Sequence, residues 1–518
     1  MALLAIDAGT GSVRAVIFDE TGTQLAAAGR EWEHRNDPRF PGSMDFEVDR
    51  NFGLVSESIR EALELAGLRG SDIAGVSATS MREGFVAFDA AGKELWACAN
   101  VDARASAEVT ELRELGAQIE AESYAISGQT FALSAQPRLR WLAKHLPEIY
   151  ERIDAIEMLS DWVLTRLTGV TVSEPTNACT SGMFSLEDRA WSAEIARMCG
   201  LRDDIFPRVV EPGSIVGEVT ARAAETTGLA VGTPVVAGGG DAQLAALALG
   251  VVDPGQTAIS GGTFWQQMVN ISELRTDPQM RIRVDCHAIP GVWQAEGIVF
   301  TPGLAARWFR DAFGGPEKER AAREGRDPYD LLTERAGHVP PGSHGVIPIF
   351  SDVMNYGAWM HAAPSFLNLS LDVARSGTDV LFRALMENAA IVTRGNLGVI
   401  ASFTGTSSDE VVFASGAAKS PVWTQIVADV LQVPVRVPVV KEATALGAAL
   451  CAGAAVGSFD DLASAGRSVA AWERVVEPDV ANAGVYDEAY GRWQAAYPAQ
   501  LELARSGVTE PMWRAPGI

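Results

Sequence analysis

Short apolar runs broken by glycine-rich turns recur along this chain. Leu3–Ile6 is an apolar strand that meets the turn cluster Asp7-Ala-Gly-Thr-Gly-Ser12. Val13–Phe18 is the return strand and Asp19-Glu-Thr-Gly22 a second turn, so the opening predicts a β-hairpin with a candidate anion loop at its tip. Phe52–Leu68 carries apolar residues at helical spacing, and Ile73–Ala78 is again an apolar strand. In mid-chain the strand Thr233–Ala237 leads into a tight turn, Gly238-Gly-Gly-Asp241, and the small apolar segment Ala242–Leu249. Thr257–Ile259, the turn Ser260-Gly-Gly-Thr263 and the strand Phe264–Val269 follow. Late in the chain come Glu410–Phe413, the turn Ala414-Ser-Gly-Ala417 and a helix over Pro421–Leu431. Alternating strands and helices predict an α/β architecture. The echo is too short for a sequence repeat. It predicts two α/β domains, residues 1–245 and 246–518, each opening with a Gly-rich turn.

Length alone gives 518 residues two to four domains. The formal charge of -24, from 42 basic and 66 acidic residues, excludes general nucleic-acid or anionic-membrane binding, which need basic surface. It leaves room for an anion held locally by backbone N–H groups and a metal ion. The five cysteines (Cys98, Cys179, Cys199, Cys286, Cys451) show no Cys-x-x-Cys spacing, against a disulfide framework or zinc site and in favour of a reducing cytoplasm. The opening residues lack a basic region and a long apolar core. Ala443–Phe459 is shorter than the ~20 residues of a membrane span and predicts a packed helix. The expectation is a cytoplasmic protein with small-molecule partners and no membrane, a monomer or a homodimer.

Several segments could carry chemistry. In Asp7–Ser12 the glycines Gly9 and Gly11 allow close backbone approach to an anion, Thr10 and Ser12 add hydroxyls, and Asp7 could hold Mg²⁺. An ordinary hairpin turn would look the same. There is no Gly-x4-Gly-Lys-Ser/Thr, and Arg14 stands where a Gly-x-Gly-x-x-Gly pattern needs its third glycine. Asp241 at a strand end suits a general base acting on a hydroxyl, or a cap for the helix that follows. Arg82-Glu83 could bind a polyol or be an exposed ion pair. Asn100-Val-Asp102-Ala-Arg104 lies at a strand–helix junction, and Ala414–Ser420 could lay the bare backbone of Gly416 against a purine. The six histidines form no His-x3-His pair and no Gly-x-Ser-x-Gly elbow occurs, so metal-hydrolase and serine-hydrolase chemistry lack support.

Taken in order, these segments resemble the FGGY carbohydrate kinases of the actin/hexokinase-like superfamily, and the match covers nearly the whole chain. Asp7–Ser12 is similar to the first phosphate motif, Arg82-Glu83 to the sugar-binding pair, and Gly240-Asp241-Ala-Gln243 to the segment with the catalytic Asp. Ser260–Thr263 is similar to the second phosphate motif, Gly416–Ser420 to the adenosine motif, and Glu442–Ala448 to the late Glu-x-x-Ala-x-Gly-Ala helix. The resemblance implies two ribonuclease H-like domains with the active site in the cleft between them. It implies ATP and Mg²⁺, with Asp241 as base and Asp7 and Asp241 placing the metal. Substrate contacts would come from Arg82, Glu83, Asn100, Asp102, Asp241 and Gln243. Phosphate and nucleotide contacts would come from Gly9, Thr10, Gly11, Ser12, Gly261, Gly262, Thr263, Gly416 and Ser420. Longer strings, among them Trp96–Arg104 and Ala362–Ser370, narrow the implied substrate to 4,5-dihydroxypentane-2,3-dione, phosphorylated on its terminal hydroxyl. The alternatives are a kinase of ribulose, xylulose, erythritol or glycerol, or a catalytically dead sensor, against which an intact Asp241 argues. Departures from the family pattern are Asn100 for a common Trp, Arg138 for a usual Lys and Ser415 for a common Gly.

Overall fold

A computed structural model describes residues 1–116 and 118–517. The first half is built on a six-stranded sheet of β1 (Ala2–Ala8), β2 (Ser12–Asp19), β3 (Gln24–Glu31), β4 (Ile73–Ser80), β5 (Ile215–Glu218) and β6 (Pro234–Gly240), in the spatial order β5-β6-β4-β1-β2-β3. β1, β2 and β3 form an antiparallel meander, and β4 and β6 run parallel to β1. β1 is apolar on both faces because both are covered, whereas the edge strand β3 buries only its alternating Ala26 and Ala28. Helix α1 (Val48–Ala66) packs an apolar face on this sheet and ends at Gly67 in the left-handed conformation. The hairpin, α1 and β4 lie where the apolar pattern put them.

The run at residues 238–241 differs from the tight turn expected. β6 continues to Gly240 and helix α2 (Asp241–Ala248) starts at the next residue. A register shift against β4 between Val236 and Gly239 bulges the strand. The glycine run serves close packing: a Cβ on Gly238 would stand 1.9 Å from the Ala78 carbonyl oxygen.

The second half repeats the arrangement in a seven-stranded sheet. Its strands are β7 (Thr257–Gly261), β8 (Trp265–Ile271), β9 (Arg283–Cys286), β10 (Trp293–Val299), β11 (Val411–Ala414), β12 (Val435–Pro438) and β13 (Trp472–Val476), ordered β9-β10-β8-β7-β11-β12-β13. β7, β8 and β10 are the antiparallel meander, and β11 and β12 run parallel to β7. Helices α3 (Pro302–Phe313), α4 (Thr378–Thr404) and α5 (Pro421–Leu431) cover it. Helix α6 (Ala443–Ala455) is buried over most of its length, the packed helix anticipated from its composition.

α2 and α6 cross between the two sheets. α6 packs on β1, β4 and β6 and shares an apolar cluster with Leu3, Ala5, Val16, Phe18 and Val236, while Ala242 and Ala246 of α2, with Leu249 just after it, pack with Ala258 and Val412 of the second sheet. At the crossing a Cβ on Gly447 would lie 2.0 Å from the Leu244 carbonyl oxygen, so only glycine lets the helices meet. A smaller sheet of Phe85–Phe88, Glu94–Cys98 and Ala155–Met158, with its own apolar core, carries the segment Asn100–Arg104. All five cysteines are buried and free.

Candidate active site

The first glycine loop joins β1 to β2. Trp32 Nε1 donates to the Gly9 and Thr10 carbonyls at 3.0 and 3.2 Å, and the Trp32 N–H donates to the Gly11 carbonyl at 3.1 Å. His34 Nε2 lies 2.6 Å from the Thr10 oxygen. The loop therefore turns three carbonyls towards the segment after β3. Asp7 stands at the end of β1 beside this loop. Burial, with the charges of Asp241 and Glu442, raises its pKa to about 7 against the opposing pull of Arg14. Arg14 in turn holds Glu442, at the entry to α6, through both oxygens at 2.7 and 2.8 Å.

Asp241 is the first residue of α2. Its carboxylate accepts the Ala242 N–H at 2.7 Å and lies 3.4 Å from Arg82 Nε. Gly240 takes the cap position, so the negative charge sits at a helix N-terminus without being the cap itself. Burial raises the Asp241 pKa, and Arg82 opposes it. Its side chain is still 38% exposed.

Arg82 and Glu83 do not pair with one another. Arg82 makes a bidentate bond to Glu296 on β10, at 2.6 and 2.9 Å, and lies 3.6 Å from Asp285 on β9. Glu83 pairs with Arg283 on β9 at 2.8 Å. Gln129 accepts from Arg283 and from the Tyr356 hydroxyl, each at 2.9 Å. The buried lattice thus joins Asp241, Arg82, Glu296, Asp285, Arg283 and Glu83 across the two halves. Burial raises Asp285 to about 6, while Arg82 keeps Glu296 below its usual range. Burial costs these charges heavily unless paired, and each has a partner.

The remaining substrate candidates divide. The Asn100 amide meets the Thr10 hydroxyl at 3.1 Å, tying this segment to the first glycine loop. Asp102 is committed elsewhere: its oxygens accept from Arg104 and, at 2.7 Å, from the Met44 N–H. The Gln243 amide is buried with no hydrogen-bond partner among the described residues and sits under Gly240, whose Cβ would come within 2.7 Å of Gln243 Oε1. Arg138, at the position of a usual lysine, donates to the backbone carbonyls of Glu83, Asn100 and Asp102, clamping both candidate segments at once.

Two cavities flank the second glycine loop. One, of about 810 Å³, is lined by Arg82, Glu83, Asn100, Asp102, Phe264, Arg283 and residues 512–517. The other, of about 410 Å³, is lined by Gly261, Gly262, Thr263, Gly416, Ser420 and Trp423, with Arg307 and Lys419. The loop between β7 and β8 is thus the wall between them. Gly303, near the start of α3, packs against its backbone: a Cβ there would stand 2.6 Å from the Gly262 oxygen. Gly416 has ordinary helical dihedrals, and it is Ser415, at φ 75°, that takes the left-handed conformation favouring glycine. The Ser415 hydroxyl lies 3.1 Å from that of Ser260. Ser420 caps α5, accepting the Trp423 N–H at 3.2 Å.

Sequence reasoning did not single out Arg283, Asp285, Glu296, Gln129, Arg307 or Lys419. A signal existed for three of them. Arg283 and Asp285 alternate on one face of a short strand, and Glu296 is the cross-strand partner of Arg283, all within otherwise apolar runs. Unpaired charges at such positions demand partners.

Family models for the N-terminal and C-terminal domains of FGGY carbohydrate kinases match residues 2–248 and 259–456. Autoinducer-2 kinases from Klebsiella pneumoniae and Yersinia enterocolitica are each 53% identical over 517 residues, covering 100% of this chain and 97% and 98% of theirs. The fold is similar to that of a xylulose kinase from Rhodospirillum rubrum (TM-score 0.85, 27% identity, 97% of this chain and 99% of that one). It is also similar to that of a Plasmodium falciparum glycerol kinase with ADP (TM-score 0.83, 19% identity, 96% and 98%).

Proposed function

Because the chain belongs to the FGGY family of carbohydrate kinases, we propose that it transfers the γ-phosphate of ATP to the terminal hydroxyl of autoinducer-2, 4,5-dihydroxypentane-2,3-dione, giving the 5-phosphate. The observation that carries the substrate is end-to-end identity: 53% with autoinducer-2 kinases, with no segment of this chain left over.

The residues fit the chemistry. A primary alcohol does not ionise at neutral pH, so transfer gains from a carboxylate able to take its proton. Asp241 is such a group: raised by burial, exposed in part, and held by Arg82. Asp7 and Asp241 oppose each other electrostatically, and carboxylate oxygens suit a hard divalent cation. These two residues would hold Mg²⁺. That ion, when bound, neutralises phosphate charge as transfer proceeds. Backbone and hydroxyl donors of Gly9, Thr10, Gly11 and Ser12 on one side, and of Gly261, Gly262 and Thr263 on the other, would steady the phosphates. Gly416, Lys419 and Arg307 would flank the nucleotide in the smaller cavity, with the sugar-like substrate in the larger one. Ser420 acts there through its cap on α5, and Asp102 by fixing Arg104 and the Met44 backbone.

ATP turnover against the dione, ribulose, xylulose, erythritol and glycerol tests the reading. The dione is expected to lead in kcat/KM by at least ~10-fold, about 1.4 kcal/mol of transition-state preference. A pentulose at the head of the panel would leave the family and remove the substrate.

A further inference from the structure

The larger cavity is closed on one side by residues 512–517, which follow the last helix and lie beyond the 259–456 match of the C-terminal family model. The Ala515 N–H donates to the Trp359 carbonyl at 2.9 Å, and the His361 N–H donates to the Trp513 carbonyl at 2.9 Å, so the segment runs as a short antiparallel ladder beside residues 359–361. The Trp513 ring packs 4.4 Å from that of Phe300 and 5.3 Å from that of Trp359. Its far end reaches the other half of the molecule. Arg113 donates to the Gly517 carbonyl at 3.1 Å, and Gly517 packs against Val109. The segment is therefore tied to both halves across one cavity.

Three arginines face this cavity: Arg82, Arg283 and Arg514. The first two are committed to buried carboxylates, Arg82 to Glu296 and Arg283 to Glu83. Arg514 is exposed, and among the described residues no carboxylate pairs with it. A guanidinium held by its backbone on a cavity wall, with its donors unspent, is placed to hydrogen-bond carbonyl or hydroxyl oxygens of a bound molecule.

We propose that residues 512–517 form a strap completing the substrate cavity and that Arg514 is a specificity-determining residue, donating to the oxygens of the polyhydroxy carbonyl substrate. The inference rests on the kinase reading but not on the dione. The assay uses whichever substrate leads the panel, so failure of the dione assignment does not carry the strap with it.

Steady-state kinetics of Arg514→Ala and Arg514→Lys test it, with melting temperature measured alongside. The side chain is exposed, so both variants are expected to melt with the parent. Arg514→Ala is expected to raise KM for the sugar-like substrate at least ~10-fold and KM for ATP less than about two-fold, and Arg514→Lys to recover part of the loss. An unchanged KM for the sugar-like substrate, or equal rises in both KM values, overturns the proposal and leaves the strap a packing element.

Discussion

Glu296→Gln removes one charge from the lattice while keeping its shape, and both its consequences follow from the partners of Arg82. The parent carboxylate takes two N–H bonds from Arg82, at 2.6 and 2.9 Å, and both side chains are buried. Breaking a buried pair from one side costs about 3–5 kcal/mol. Gln retains an acceptor, and Asp285 stays 3.6 Å from the same guanidinium, so the lower end is expected, about 3 kcal/mol or roughly 6–12 °C in melting temperature. The second consequence reaches Asp241, whose pKa is raised by the charge of Glu296 and lowered by that of Arg82. Removing Glu296 takes away the first and frees more of the second, so both changes lower the Asp241 pKa. Burial and Arg82 weigh more on that pKa than Glu296 does, so the downward direction is what the variant tests. The Asp241 side chain is 38% exposed, and solvent screening softens the coupling without reversing it. A base works ionised, so the acidic limb of kcat/KM against pH should move to lower pH in a coupled ADP-release assay. Of the two carboxylates placed at the reaction, Asp7 feels Asp241, Glu442 and Arg14 rather than Glu296, and Asp285, which does feel Glu296, is fully buried in the lattice, so a moving limb reports on Asp241. An acidic limb that stays in place, or moves upward, would refute the coupling.

Asp241→Asn keeps the shape at the head of α2 and loses the proton acceptor, so kcat should fall at least ~100-fold with melting temperature nearly unchanged; retention of more than about a tenth of parental kcat removes it from the mechanism. Gly416→Val adds a side chain where the nearest atom to a Cβ is the Gly261 oxygen at 3.9 Å, so it should fold normally and raise KM for ATP more than that for the dione; equal effects on both would return the loop to a plain turn. Gly447→Ala should lower stability by about 3 kcal/mol and depress kcat, because the methyl displaces the helix whose first residue is Asp241. Gly484→Ala, on a helix with nothing within 4 Å of its Cβ, is the control and should be neutral or stabilising, and equal melting of the two would refute the close crossing.

What the sequence made legible was local. Glycine loops after apolar strands announce themselves because few residues tolerate such approach, and helix α5 begins and ends where its proline and its cap put it. The tight turn read at residues 238–241 was wrong for an instructive reason. Consecutive glycines look like a turn, but here they let β6 bulge past Ala78 and continue. The pairing of Arg82 was not legible, since Glu296 lies 214 residues away on a strand of the other half. Nor was the strap, whose sequence Met512-Trp-Arg-Ala-Pro-Gly517 carries no periodicity and gains meaning only from the cavity it closes.

The charge balance illustrates the same division between global and local. A net charge of -24 would seem to oppose a polyanionic nucleotide, yet at physiological ionic strength the field of distant carboxylates is screened beyond about 8 Å. Within that radius the composition of the whole chain says little. The smaller cavity sets Arg307 and Lys419 on its walls beside the bare backbone of Gly261, Gly262 and Gly416. The same walls carry Asp327 and Asp330, so the charged lining balances there and does not repeat the acidic excess of the whole chain. Composition therefore excluded a polymeric anion, which must be met by a broad basic surface, and left open a small one, which is met by a few donors converging from two sheets.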